Sequence, residues 1–63
     1  MQPEVIRHEL ALTERILEGQ LRIMAGFAEA GKIQLMSTVY SEVMQLQGRI
    51  QALRWVLEGR DAP

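Results

Sequence analysis

The sequence predicts an all-α protein, an antiparallel hairpin of two long helices that oligomerises. Proline occurs only near the two ends, at Pro3 and Pro63, so the residues between them are free to be helical. Apolar residues recur at intervals of three and four residues in both halves of the chain. Gly31 separates the halves and is the best left-handed helix terminator in the sequence. We therefore interpret residues 1–63 as a single helical-hairpin domain.

The first helix is expected at about residues 3–29. Pro3 suits a first turn, where its missing N–H costs nothing, and Glu4 suits the positive end of the helix dipole. Apolar residues with helical spacing continue as far as Phe27, and Thr13 shares their register. Gly26 is an alternative, earlier end for this helix.

The apolar stripe of the first helix is broader than the seam of a two-helix structure requires. Ile16 and Ile23 are predicted to widen it on one side, and Val5 and Leu12 on the other.

The second helix is expected at about residues 33–58, and its heptad pattern is the clearest signal in the sequence. The apolar positions are Met36, Val39, Val43, Leu46, Ile50, Leu53 and Leu57. Gly59 follows the last of them as a stop signal, and the tail 60–63 is expected to fray. Ser37 is a competing start, which would leave residues 31–36 as an extended linker.

A coiled-coil-like seam is predicted between the two helices. Its residues are Leu10, Leu17, Leu21, Met24, Val39, Val43, Leu46, Ile50, Leu53 and Leu57. A chain this short buries only about 60% of its unfolded surface, and such scaffolds usually need disulfides, a metal or oligomerisation. The sequence has no cysteine and one histidine, His8, so we expect no metal site and no disulfide. The missing stability should come from other chains, in a homo-oligomer or a larger protein assembly.

The face of the second helix opposite the seam is nearly free of charge. Between Ile33 and Gly48 the only charged residue is Glu42, although a solvated helix face normally carries Lys and Glu. We predict a second interface on this face, and its residues are Met44, Gly48, Ala52 and Trp55. The alternative is that Trp55 is simply an exposed apolar residue.

Catalysis, cofactor binding and membrane insertion are not predicted. Residues 26–32 match G-x-x-x-x-G-K, but Ile33 follows where a phosphate-binding loop needs Ser or Thr, and a helix precedes it where that loop needs a strand. His8 lies four residues after Glu4, an exposed pair without a pocket, so no catalytic or metal site is expected. The net charge of −1 argues against nucleic-acid binding by the monomer, although a ring of copies could bring the arginines together.

Residues 46–58, in which Gly48, Ile50, Ala52 and Leu53 precede Trp55-Val56-Leu57, resemble the ending of small helical-hairpin proteins encoded near the head and portal genes of tailed bacteriophages. The resemblance implies a non-enzymatic virion or assembly component present in many copies, and it brings no catalytic or ligand residues.

We therefore expect a structural or interaction protein that self-associates or docks on a larger assembly. It would be located in the virion if the resemblance holds, and in the cytoplasm otherwise. The alternative is a small regulatory protein that binds a host protein or nucleic acid as a dimer. The sequence identifies neither the partner nor the stoichiometry.

Overall fold

A computed structural model describes residues 2–59 of the chain. Helix α1 comprises Pro3–Glu29 and helix α2 comprises Ile33–Leu57, and the two helices pack against each other. The predicted all-α hairpin and its helix bounds are thereby confirmed to within one residue. The predicted fraying of residues 60–63 lies outside the described residues.

The turn between the helices is built around Gly31, as the sequence predicted. Gly31 has a φ of 72°, in the left-handed region that an L side chain rarely adopts. The N–H of Lys32 donates to the carbonyl of Phe27 at 2.9 Å, and the N–H of Gly31 donates to that of Ala28 at 3.1 Å. This pair of hydrogen bonds is the Schellman motif, and it satisfies carbonyls that the end of α1 would otherwise leave without partners.

Both alternative helix bounds are wrong. α1 continues beyond Gly26, whose carbonyl accepts a hydrogen bond from the N–H of Ala30 at 3.1 Å. α2 begins at Ile33 rather than at Ser37, because the N–H of Met36 donates to the carbonyl of Lys32 at 3.0 Å and closes the first turn.

A narrow core lies along the line of contact between the helices. Its buried apolar residues are Ile6, Val39, Val43 and Ile50, and no side chain among the described residues is completely excluded from solvent. The buried hydroxyl of Thr13 donates to the carbonyl of Glu9 at 2.7 Å, so this polar group is satisfied within its own helix. The hairpin is elongated, with principal extents of 43 × 24 × 12 Å.

Ion pairs between arginines of α2 and glutamates of α1 flank this core. Arg49 Nη2 lies 3.0 Å from Glu9 Oε2, and Arg54 Nη2 lies 2.7 Å from Glu14 Oε2. In each helix the two charged residues are five positions apart, or about 140° around the helix axis. The two ion pairs therefore lie on opposite edges of the contact, one on each broad side of the hairpin.

Candidate interaction surfaces

The predicted seam residues differ in how completely the helix pair covers them. Val39, Val43 and Ile50 are buried, and Leu10, Leu17, Met24, Leu46, Leu53 and Leu57 are half-buried. Leu21 is 39% exposed, because it lies in an open groove that it lines with Leu17, Gln47 and Gln51. The predicted seam is therefore fully covered only along its centre, where the buried residues Val39, Val43 and Ile50 all belong to α2.

Two residues of α1 are buried although the predicted seam did not include them. Ile6 and Thr13 are each only 4% exposed. They are seven residues apart, close to two helical turns, and Thr13 shares the register of the apolar residues of α1. Heptad spacing is compatible with the burial of both, but Leu10, Leu17 and Met24 have the same spacing, so spacing alone does not select Ile6 and Thr13.

The predicted outer face of α2 is exposed on the single chain. Met44 is 49% and Trp55 is 45% exposed, and Gly48 and Ala52 are exposed beside them. Tyr40, at 53%, lies one turn before Met44 and extends the same surface. We call the surface formed by Ser37, Tyr40, Ser41, Met44, Gly48, Gln51, Ala52 and Trp55 the α2 outer face. It is accessible to another chain, and no residue in it carries a charge.

The small residues make the middle of the α2 outer face low. A Cβ atom built on Gly48 would meet nothing within 4 Å, so the space above this glycine is open. The hydroxyl of Ser41 donates to the carbonyl of Ser37 at 3.4 Å, back onto its own helix. If another chain covers this part of the surface, the hydroxyl of Ser41 therefore keeps its hydrogen-bond partner.

A second exposed apolar surface lies on α1. Its residues are Val5, Leu12, Ile16 and Ile23, which are 49%, 39%, 53% and 47% exposed. The prediction that they lie on two sides of the stripe is wrong. Their separations of 7, 4 and 7 residues in one continuous helix keep all of them within a narrow sector. We call this surface the α1 stripe.

The two exposed surfaces face different sides of the hairpin. Ile16 lines a groove with Glu42, Gln45 and Arg49, on the side of the Glu9–Arg49 ion pair. Tyr40 instead lines a groove near the turn with Met24, Met36 and Ser37. On α2, Met36 is 18 residues from Arg54, or five full turns, so this groove is on the side of the Glu14–Arg54 ion pair.

Three arginines form ion pairs with glutamates of the same hairpin. Arg49 and Arg54 each bind a glutamate of α1, and Arg22 binds Glu18 one turn earlier on its own helix at 2.9 Å. Every side chain in these ion pairs is more than 40% exposed. Each pair therefore contributes only a few tenths of a kcal/mol to about 1 kcal/mol to the free energy of unfolding.

The described residues form neither a metal-binding cluster nor a phosphate-binding loop. Within residues 2–59, no three His, Asp or Glu side chains lie close enough together to hold a metal ion. The segment that matches a phosphate-binding loop forms the end of α1 and the turn, not the strand-to-helix loop that such a site requires. No described helix combines the length and the hydropathy needed to cross a bilayer.

Comparisons with known proteins give no relative. No family model matches the chain, and searches of curated proteins and of solved structures found no match. The resemblance to phage helical-hairpin proteins therefore stays a prediction.

Proposed function

We propose that this protein is a non-enzymatic structural or interaction component, a helical hairpin with a coiled-coil-like seam that self-associates or docks on a larger assembly. The α2 outer face is the contact surface in this proposal. The sequence resemblance suggests a phage particle or its assembly as the setting, with the virion as its location.

The proposal is supported by the imbalance between covered and uncovered apolar side chains. Among the described residues, four large apolar side chains are buried and eleven are exposed. Scattered exposed apolar residues are normal in a monomer, but here they form continuous surfaces on both helices. A second layer of protein would cover them and would stabilise the hairpin by mass action.

The test measures association and helicity together over a concentration series. Sedimentation velocity gives the mass of the particle, and circular dichroism gives the helix content. Trp55 is the only tryptophan, so its fluorescence reports directly on the α2 outer face. We expect the particle mass and helicity to rise with concentration while the tryptophan emission shifts to shorter wavelength.

Trp55→Glu is the decisive variant, and Val56→Glu is its matched control. Val56 is also exposed, at 54%, but it points about 100° away from Trp55 around the helix. Loss of an interface anchor typically costs 2 kcal/mol or more, so Trp55→Glu should weaken association by about 30-fold or more. An unchanged oligomer in Trp55→Glu, or full helicity in a dilute monomer, would contradict the proposal.

The salt dependence of binding distinguishes the regulatory alternative from the structural proposal. Nucleic-acid binding by a dimer should weaken steeply as the salt concentration rises, whereas association through apolar helix faces should hold or tighten. The ion pairs formed by Arg22, Arg49 and Arg54 leave fewer arginines free for phosphate, which favours the structural proposal.

A further inference from the structure

We propose that the α2 outer face binds the same face of a second copy, with the two α2 helices antiparallel and related by a two-fold axis at the level of Leu46. This inference rests on the proposed function and adds to it the identity of the partner, its orientation and the residue register.

The register follows from the spacing along α2. Residues 37, 41, 44, 48, 51 and 55 step by 4, 3, 4, 3 and 4, which is the spacing of a coiled-coil seam on the side opposite the intrachain one. Placing the two-fold axis at Leu46 gives layers in which each large side chain meets a small one. The layers are Trp55 on Ser37, Gln51 on Ser41 and Met44 on Gly48, each occurring twice by symmetry.

This complementarity exists only when the helices are antiparallel. A parallel pair in register would place Trp55 on Trp55 and Met44 on Met44, with Gly48 opposite Gly48. The helices would then be held apart at the large residues and would leave a void at the glycines, and voids forfeit packing energy. In the antiparallel register the open space above Gly48 accommodates Met44 of the second copy.

Charge also favours this surface over the α1 stripe as the two-fold contact. The spacing of the α1 stripe is symmetric as well, so an antiparallel pair would match Leu12 with Ile16 and Val5 with Ile23. That pairing would bring Arg15 of both copies together at the axis, which is unfavourable between like charges. On the α2 outer face the residues closest to the axis at either edge are the neutral Gln45 and Gln47.

The hairpin exposes more surface than a compact monomer of the same mass, and the excess is close to the area that one partner buries in a standard protein interface. The accessible surface is 5013 Å² for a chain of 7.2 kDa. A compact monomer of this mass exposes about 4,100 Å², so the hairpin exposes about 900 Å² more. A standard protein interface covers ~800 Å² on each partner. Burial of a standard area of the α2 outer face against a second copy would therefore remove most of this excess from each chain.

Disulfide trapping tests the orientation, because the chain has no cysteine of its own. We would mix Met44→Cys with Gly48→Cys under mild oxidation and separate the three possible disulfide dimers by mass. Antiparallel pairing places positions 44 and 48 of different copies opposite each other, so the mixed dimer should exceed its statistical share. Ala11→Cys, exposed on α1, is the control and should show no preference for either variant.

A volume change at the glycine tests the register by a second route. Gly48→Gln adds a good helix former to an open position, so in dilute solution its helicity should equal or exceed that of the unsubstituted protein, while its dimerisation weakens at least tenfold. Gly26→Gln makes the same change at an open glycine of α1 and should leave dimerisation unchanged.

Three outcomes would overturn the inference. Excess of the two homodimers in the trapping experiment would indicate parallel pairing. A statistical mixture of the three disulfide dimers, or undiminished dimerisation of Gly48→Gln, would contradict this register. The association required by the proposed function would still stand. A protein that stays monomeric at every concentration would remove the pairing and self-association together.

Discussion

The side of α1 that faces away from α2 and the α2 outer face are equally accessible but chemically different. Away from α2, α1 carries alternating charges at Glu4, Arg15, Glu18 and Arg22, all exposed, and its apolar stripe lies to one side of them. The α2 outer face has no charge, and Tyr40, Met44 and Trp55 are each about half exposed there. Ordinary solvation explains the first surface, since charged side chains keep a helix soluble.

The difference teaches that covering the intrachain seam does not account for the composition of α2. The seam needs one stripe on each helix, and α2 provides it with Val39, Val43 and Ile50. The residues on the opposite side are free to be charged as far as the seam is concerned. Their neutral and small character is what a second helix contact requires, because it permits close approach without burying charge.

The largest expected effect comes from substituting two adjacent residues, one in the seam and one on the α2 outer face. Val43 is 3% exposed and Met44 is 49% exposed. Val43→Asp would bury an unpaired carboxylate, which costs on the order of 3–5 kcal/mol, and should abolish the helical circular dichroism signal. In dilute solution Met44→Asp should instead have the same helicity as the unsubstituted protein, and it should abolish the rise in particle mass and helicity with concentration.

Ile16→Asp extends this comparison to the α1 stripe, where Ile16 is 53% exposed. We expect it to change dimerisation by less than threefold, because the proposed two-fold contact does not include α1. An equal loss of association in Ile16→Asp and Met44→Asp, measured by sedimentation, would show that the two surfaces do not differ in the way proposed.

An intermediate effect is expected from glycine-to-alanine changes in the two helices. Gly26 and Gly48 are both helical, and an added Cβ meets nothing at either position. Each alanine should therefore stabilise its helix by up to about 1 kcal/mol. Thermal unfolding at high dilution should show the same gain for both. At high concentration only Gly48→Ala should lose part of its gain, because its Cβ would narrow the gap for Met44 of the second copy.

The smallest effect is expected from the interhelical ion pairs. Arg49→Gln removes the contact with Glu9, in which both side chains are well exposed. The loss should be below about 1 kcal/mol and should vanish as the salt concentration rises. Denaturant unfolding at low and high salt measures it. A loss of several kcal/mol would mean that these pairs, rather than the apolar seam, hold the helices together.

Local signals made most of the fold predictable. Pro3, Gly31 and Gly59 mark where helices begin and end, because the conformations of proline and glycine are set by their own covalent structure. The α2 seam followed from heptad spacing alone. The burial of Ile6 and Thr13 was missed because the periodic pattern of α1 is broad, and several of its stripes fit the pattern equally well.

The position of the exposed surfaces was less predictable. The α2 outer face was recognisable from its missing charges, whereas the α1 stripe was divided between two sides of the helix in the sequence interpretation. Counting helical turns would have placed Val5, Leu12, Ile16 and Ile23 together. Which of the broad α1 stripes faces α2 depends on how the two helices rotate against each other, and periodicity does not report that rotation.

The sequence by itself determined two helices, the turn between them and the heptad line of α2, since each depends on backbone preferences or on spacing within one helix. Only the tertiary structure decided which apolar residues of α1 are buried and which sides of the hairpin the remaining apolar surfaces face. The physical reason is that burial is a property of pairs of elements: a residue becomes core only when another helix takes the place of water against it.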